Sequence, residues 1–277
     1  MSSMERQVKW QQILAKCKEN VKTHIQPLLA TLKQPQPDIG VGAGGDKMKL
    51  VDLAAEKAIV EILLENKISF TLVSEESGIK EFGASPTGCF VCVDPIDGTT
   101  NLVRGLPFYC TSIAIADKLL SSSVFAACVA DLFHDITYTA LKEKDAFRNG
   151  EKITTSSTKT LNDAVIGMDI NTYKIKEIAP KLSNLIQQTK HIRHFGANAL
   201  ELCYVADGLT DAFVDVRGKL RATDVAAGFF IIKEAGGTVS SPDGEPVDVK
   251  LDPKATVKFV ASGNAEIHQK ILGLIKS

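Results

Sequence analysis

Two apolar runs of this chain stop at acidic residues, and that arrangement limits the fold more than any other feature. Ile68–Ser74 runs directly into Glu75-Glu76, and Cys89-Phe-Val-Cys-Val93 stops at Asp94-Pro95, with a further aspartate at Asp97. Short β-forming runs of this kind read as buried strands. A strand that halts at a carboxylate and a proline has reached a surface where charge is solvated. The chain is therefore expected to build a covered sheet whose strand ends gather negative charge at one edge, the place where an open sheet collects ligands.

The rest of the pattern supplies the cover. Trp10, Ile13, Leu14, Cys17, Val21, Ile25 and Leu28 recur at spacings of three and four, which predicts an amphipathic helix ending before Gln34-Pro-Gln-Pro37. Pro35–Asp46 is rich in breakers and predicts a mobile loop, and Leu50–Asn66 predicts a second helix. Three β-like stretches follow at Thr111–Ala116, Ser123–Ala130 and Thr137–Lys142, and Asn149-Gly150 favours a hairpin. Residues 1–155 thus read as a helix-covered, largely antiparallel sheet. The polar stretch Thr154–Leu161 marks a boundary, and residues 156–277 read as a smaller α/β half. Its strands are expected at Ala164–Ile170, Ile192–Phe195, Asp211–Val216 and Val257–Ala261, and its helices at Ile175–Gln188, Asn198–Ala206, Asp224–Ala235 and from Ala265 onward.

Composition bears on partners. In 277 residues, 32 basic and 33 acidic side chains give a net charge of −1, no general reason to expect nucleic acid or an anionic membrane as partner. No segment is a candidate signal peptide or membrane span, so a cytoplasmic protein is expected. Six cysteines are scattered through apolar stretches and read as buried, reduced thiols. The Cys89-x-x-Cys92 pair has metal-site spacing, yet on a strand the two side chains point to opposite faces, which favours a core role.

The carboxylates carry the chemistry. Asp52 and Glu56 share a helix face, and taken alone they read as a solvated charged surface. Glu75, Asp94, Asp97 and Asp224 each sit where a strand ends or a helix begins. Converging without countercharge they would repel, so either they are apart or cations hold them. Hard oxygen ligands, with no histidine pair or cysteine cluster at useful spacing, point to Mg²⁺ or Mn²⁺ rather than zinc. Gly98-Thr99-Thr100 then offers free backbone N–H groups to an anion if a helix begins there.

Taken together, Asp52-x-x-x-Glu56, Ser74-Glu-Glu-Ser77, Asp94-Pro-Ile-Asp-Gly-Thr-Thr100, Phe147-x-Asn-Gly150, Gly196 before a helix, and Asp224-Val-Ala-Ala-Gly228 leading to Glu234-Ala-Gly-Gly237 resemble the inositol monophosphatase family, part of the lithium-sensitive, magnesium-dependent sugar phosphatases. The pattern is most similar to the archaeal-type enzymes that act on both fructose 1,6-bisphosphate and inositol 1-phosphate. The resemblance implies an αβαβα layered sandwich of α+β or α/β type and a phosphoric monoester hydrolase with two or three Mg²⁺ ions per site. It implies that Glu75, Asp94 and the Ile96 carbonyl hold one ion, and Asp94, Asp97 and Asp224 a second. It places Asp52, Thr99 and Glu75 in the catalytic set, with Thr99 and Asp52 orienting and helping to deprotonate the attacking water. Gly98 and Thr99 would bind phosphate through the backbone. Asp97, Gly196, Ala197, Asn198 and Arg217 would meet the substrate. A homodimer is expected on the same ground.

The sequence departs from the family pattern at Arg217, seven residues before Asp224, where typical members place a carboxylate that reads inositol hydroxyls. An arginine there suits a second phosphate, and Arg217, Lys219 and Arg221 are specificity candidates. Three other readings stand beside this one. A haloacid-dehalogenase-type phosphatase would need Asp-x-Asp near its N-terminus, whereas this chain has Asp94-x-x-Asp97 deep within it. A non-catalytic metabolite-binding homologue would retain the fold. A 3′-phosphoadenosine 5′-phosphate phosphatase of the same superfamily would share the motifs.

Overall fold

Trp10, Ile13, Leu14, Cys17, Val21 and Ile25, the residues with helical spacing, are all buried along one side of α1 (Ser3–Leu29), and they pack against α2 (Leu50–Glu65). The computed structural model describes residues 3–275 apart from 33–36, 38, 86–87 and 171–173, with no side-chain description for residues 3–7. Part of the loop expected at Pro35–Asp46 therefore lies outside the described residues. Beneath α1 and α2 lies an eight-stranded sheet in the order β2-β1-β3-β4-β5-β6-β7-β8. Its strands are β1 (Phe70–Ser74), β2 (Gly78–Phe82), β3 (Phe90–Asp97), β4 (Cys110–Ala116), β5 (Val124–Asp131), β6 (Ile136–Leu141), β7 (Ala146–Arg148) and β8 (Glu151–Ile153), with the short helix α3 (Thr99–Arg104) after β3.

Every neighbouring pair in this sheet is antiparallel except β1 and β3, which run parallel with Ser74 beside Val93. That exception brings the two acidic strand ends together. Because β1 and β3 point the same way, Glu75 and Asp94 leave the sheet at the same edge, and the Glu75 N–H donates to the Val93 carbonyl at 3.3 Å.

Antiparallel pairing explains a second placement. Asp94 faces Ser112 and Asp97 faces Cys110, so three residues of β3 are spanned by two of β4. This is a β-bulge, and it changes which face the following side chain takes. In a regular strand, residues three apart point to opposite faces. The bulge at Pro95-Ile96 lets both aspartates reach the same cleft, and proline is tolerated there because the ladder is interrupted. The strand thus continues to Asp97 and does not end at Asp94.

The second sheet has the order β10-β9-β11-β13-β12, built from β9 (Val165–Met168), β10 (His191–Arg193), β11 (Ala212–Arg221), β12 (Thr238–Ser240) and β13 (Thr256–Ser262). Helices α5 (Asn198–Ala206) and α6 (Ala222–Glu234) lie between the two sheets, with Leu200, Leu202, Val225, Phe229 and Ile231 packing against Val73, Val129, Phe213 and Phe259. On the far side, α4 (Ile175–Gln188) and α7 (Ala265–Ile275) cover Ile166, Met168, Val214 and Val260. The layers are therefore helix, sheet, helix, sheet, helix, the sandwich that the resemblance implies. Cys92 turns toward the central helices and Cys89 toward α1 and α2, as alternation on a strand requires, and none of the six cysteines is in a disulfide. Among the described residues no helix is long and apolar enough to cross a membrane.

Candidate active site

A cleft of about 420 Å³ opens where the ends of β1, β3 and β11 meet the first turns of α2, α3 and α6. Glu75, Asp94 and Asp224 approach so closely that one oxygen of each lies within 4.8 Å of the others. Asp94 and Asp224 are buried, at 3% and 5% exposure. Asp224 is placed by helix geometry: as the third residue of α6 it accepts the Arg221 N–H on Oδ2 at 2.8 Å. Asp52 is placed in the same way at the start of α2, accepting the Lys49 N–H at 3.1 Å.

The electrostatics of this cluster are strained in a particular sense. Burial, and then Asp224, push the Glu75 carboxyl up to about 9, against the pull of Arg221. Burial followed by Glu75, Asp97 and Asp224 drive Asp94 well above the carboxylate range. Burial and Asp224 lift Asp97 to about 7, although it accepts backbone N–H bonds. Burial raises Asp52 to about 6, opposed by its bonds to Lys49 and Thr99. A group of buried carboxylates that raise one another's pKa favours either protons or a cation. Three oxygen donors converging at this spacing fit a hard divalent ion completed by waters and substrate oxygens.

Several expected site residues have partners or neighbours within the protein. Asp97 lines the same cleft but stands outside the close trio, because its Oδ2 accepts the Ala199 N–H of α5 at 2.6 Å. The Ile96 carbonyl accepts the Thr99 hydroxyl at 2.8 Å. Ala197 does not face the cleft: it is fully buried, and a Cβ at Gly98 would come within 3.0 Å of its own Cβ, so its small size makes room for the turn. Arg217 lines the cleft, but its guanidinium is already occupied by Asp215 and Asp169, because β11 presents residues 215 and 217 on one face. Asp52 and Glu56 are not a solvated surface, being 3% and 8% exposed. Glu56 accepts the Ser74 hydroxyl and the Ser77 N–H, the latter at 3.2 Å, and so secures the turn that carries Glu75.

The remaining candidates sit as a phosphate-handling site needs. Gly98 has a left-handed backbone (φ 87°) that only glycine adopts without strain, and it starts α3 toward the cleft. Thr99 Oγ1 lies 3.3 Å from Asp52 Oδ1. Gly196 and Asn198 line the opposite wall. Asn101 ties the two sides together, its Nδ2 donating to the Phe108 and Phe195 carbonyls at 2.8 and 2.7 Å.

Sequence reasoning missed Asp169; Arg221 was a specificity candidate, and Glu201 a pocket candidate by family position that could equally cap or pair within its helix. Arg221 reaches into the acidic cluster, with Nη1 2.6 Å from Glu75 Oε1 and Nη2 2.5 Å from Asp46 Oδ2. Asp169 gave no signal beyond following a strand. Glu201 holds the wall by accepting the Phe195 and Gly196 N–H groups at 3.1 and 3.0 Å, and burial lifts its carboxyl to about 8.

Comparison with known proteins agrees with this architecture. A profile of the inositol monophosphatase family matches residues 9–277. A fructose-1,6-bisphosphatase/inositol-1-monophosphatase of Methanothermobacter thermautotrophicus is 34% identical over 271 residues, covering 95% of each chain. The protein of the same description from Archaeoglobus fulgidus is 38% identical over 251 residues, covering 88% of this chain and 90% of its own. A crystal structure described as an inositol monophosphatase-fructose 1,6 bisphosphatase superposes with a TM-score of 0.84 at 28% identity, over 96% of this chain and 99% of that one.

Proposed function

The chain belongs to the inositol monophosphatase family, whose members are phosphoric monoester hydrolases, and from that premise we propose that it hydrolyses small sugar and polyol phosphates with Mg²⁺, inositol 1-phosphate and fructose 1,6-bisphosphate among them. The observation that carries the reading is the convergence of Glu75, Asp94 and Asp224 within 4.8 Å, beside the Gly98-Thr99 turn. The adenosine bisphosphate reading is not carried forward, since the relatives matched over nearly their whole length are described as sugar and inositol phosphatases.

Glu75, Asp94 and Asp224 would hold the divalent ion or ions, two or three in number, with Asp97 close by; Mg²⁺ bound there supplies positive charge for phosphate oxygens and lowers the pKa of a water. The protein's own groups do the rest. Gly98 and Thr99 present backbone N–H groups, unused at the start of α3, to the phosphate. The Thr99 hydroxyl and the Asp52 carboxylate orient the attacking water and take its proton. Asp52, held up to about 6, is a better proton acceptor than an ordinary aspartate and still ionised near neutral pH. Gly196 and Asn198 face the part of the substrate beyond the phosphate. We place the protein in the cytoplasm, with residues 1–155 and 156–277 as its two halves divided at the polar stretch Thr154–Leu161, and, on the family resemblance, as a homodimer.

The test is Mg²⁺-dependent phosphate release from inositol 1-phosphate and fructose 1,6-bisphosphate, which Asp94→Asn and Thr99→Ala are expected to reduce strongly. Release by both variants at the parent rate would show that the assigned roles are wrong.

A further inference from the structure

Arg217 is the cleft residue whose expected partner, a second phosphate, differs most from the partners it has. Phe213, Asp215 and Arg217 share one face of β11, turned toward the central helices, while Val214 and Val216 pack with the outer ones. Its Nε donates to the two oxygens of Asp215 at 3.1 and 3.3 Å, and its Nη2 to Asp215 Oδ2 at 2.6 Å and to Asp169 Oδ2. The side chain is 1% exposed, against 0% for Asp215 and 8% for Asp169.

One guanidinium thus sits between two carboxylates. To receive a phosphate, Arg217 would have to leave a buried carboxylate unpaired, which is strongly unfavourable. Lys219 also lines the cleft, but it is solvent-exposed, and an exposed cation contributes little.

We infer that Asp169 is a specificity-determining, positioning residue: by holding Arg217 against Asp215 it disfavours a second phosphate on a sugar or polyol phosphate. This rests on the phosphomonoesterase reading above and ranks its two substrate classes. Asp169 acts through Arg217 and takes no part in the chemical step.

Fructose 1-phosphate and fructose 1,6-bisphosphate differ only in the distal phosphate, so initial rates of phosphate release at saturating Mg²⁺ test the inference. In the unmodified enzyme, KM for the bisphosphate is expected to equal or exceed that for the monophosphate; a value lower by about tenfold overturns the inference. Asp169→Asn keeps the shape and removes one of the two charges that detain Arg217. It is expected to lower KM for the bisphosphate relative to the monophosphate by about tenfold, with the ratio of the two kcat values held within roughly twofold. An unmoved KM ratio overturns the inference, as does a shift confined to kcat. If Asp169→Asn does not fold, Asp169→Ser serves in its place, and the unmodified enzyme's comparison decides by itself. Absence of Mg²⁺-dependent release from either ester or from inositol 1-phosphate would instead defeat the phosphomonoesterase reading and this inference with it.

Discussion

At the scale of single residues, Thr99 has one hydroxyl proton and two acceptors, the Ile96 carbonyl at 2.8 Å and Asp52 Oδ1 at 3.3 Å. One proton cannot serve both fully, so the hydroxyl is held by the first and left adjustable toward the second. Thr99→Ala removes that link between Asp52 and the water, and kcat is expected to fall on the order of 100-fold with KM little changed. Thr99→Ser, which keeps the oxygen, should recover most of the rate. Steady-state kinetics of the two variants on inositol 1-phosphate check this, and equal losses in both would point to packing of the methyl group and not to the hydroxyl. A second single-residue expectation concerns Asp94. It is one of three mutually repelling buried carboxylates, so in metal-free protein at pH 8 Asp94→Asn should raise stability by roughly 1–3 kcal/mol while abolishing the stabilisation that Mg²⁺ brings. Thermal unfolding with and without Mg²⁺ measures both effects; a less stable metal-free variant would argue against the repulsion.

At the scale of elements, the turn from β3 into α3 depends on Gly98. A Cβ there would lie 2.9 Å from the Phe108 carbonyl oxygen and 3.0 Å from Ala197 Cβ, and the residue is left-handed. Gly105, which ends the same helix, is left-handed too (φ 76°), but nothing lies within 4 Å of a Cβ built on it. Gly105→Ala should cost about 1 kcal/mol, the backbone penalty alone. Gly98→Ala adds the clash, so it should cost more and also raise KM by moving the phosphate-facing turn. Denaturant midpoints and KM of the two variants test this together. The helices and most strands were legible from period and punctuation, as the match of Asn198–Ala206 and Ile175–Gln188 to α5 and α4 illustrates. The strands β2 and β12 were not, because Gly78–Phe82 is mostly exposed and the three residues Thr238–Ser240 are too few to show a period. The bulge at Pro95-Ile96 was hidden for another reason: a register shift belongs to the pairing with β4, and no local pattern within β3 announces it. The carboxylates of the site were legible because charge at the end of an apolar run is conspicuous. The partners of Arg217 were not, since Asp169 comes from a distant strand and only the sheet brings it near.

For the molecule as a whole, the acidic cleft joins elements of both sheets and couples stability to pH and cations. Glu75 rises from 4.5 to about 9 and Asp97 from 3.8 to about 7 on folding. A carboxyl with a raised folded-state pKa binds its proton more tightly when folded, so its favourable contribution is complete below the unfolded value and lost as pH climbs through the folded one. Metal-free protein should therefore lose stability between about pH 4 and 9, and the rise in Tm produced by Mg²⁺ should be largest at the alkaline end. Thermal melts across that range provide the check, and a Mg²⁺ effect that grew toward acid pH would contradict it. Arg221, paired with Glu75 and Asp46, offsets part of the negative charge from within but cannot neutralise a cluster that also contains Asp94 and Asp224. The central claim is that this cluster is a seat for divalent cations, and anomalous diffraction from crystals soaked in Mn²⁺ tests it most directly. The account predicts anomalous peaks in the cleft within about 2.2 Å of carboxylate oxygens of Glu75, Asp94 and Asp224; a cleft without such peaks at saturating Mn²⁺ would contradict it.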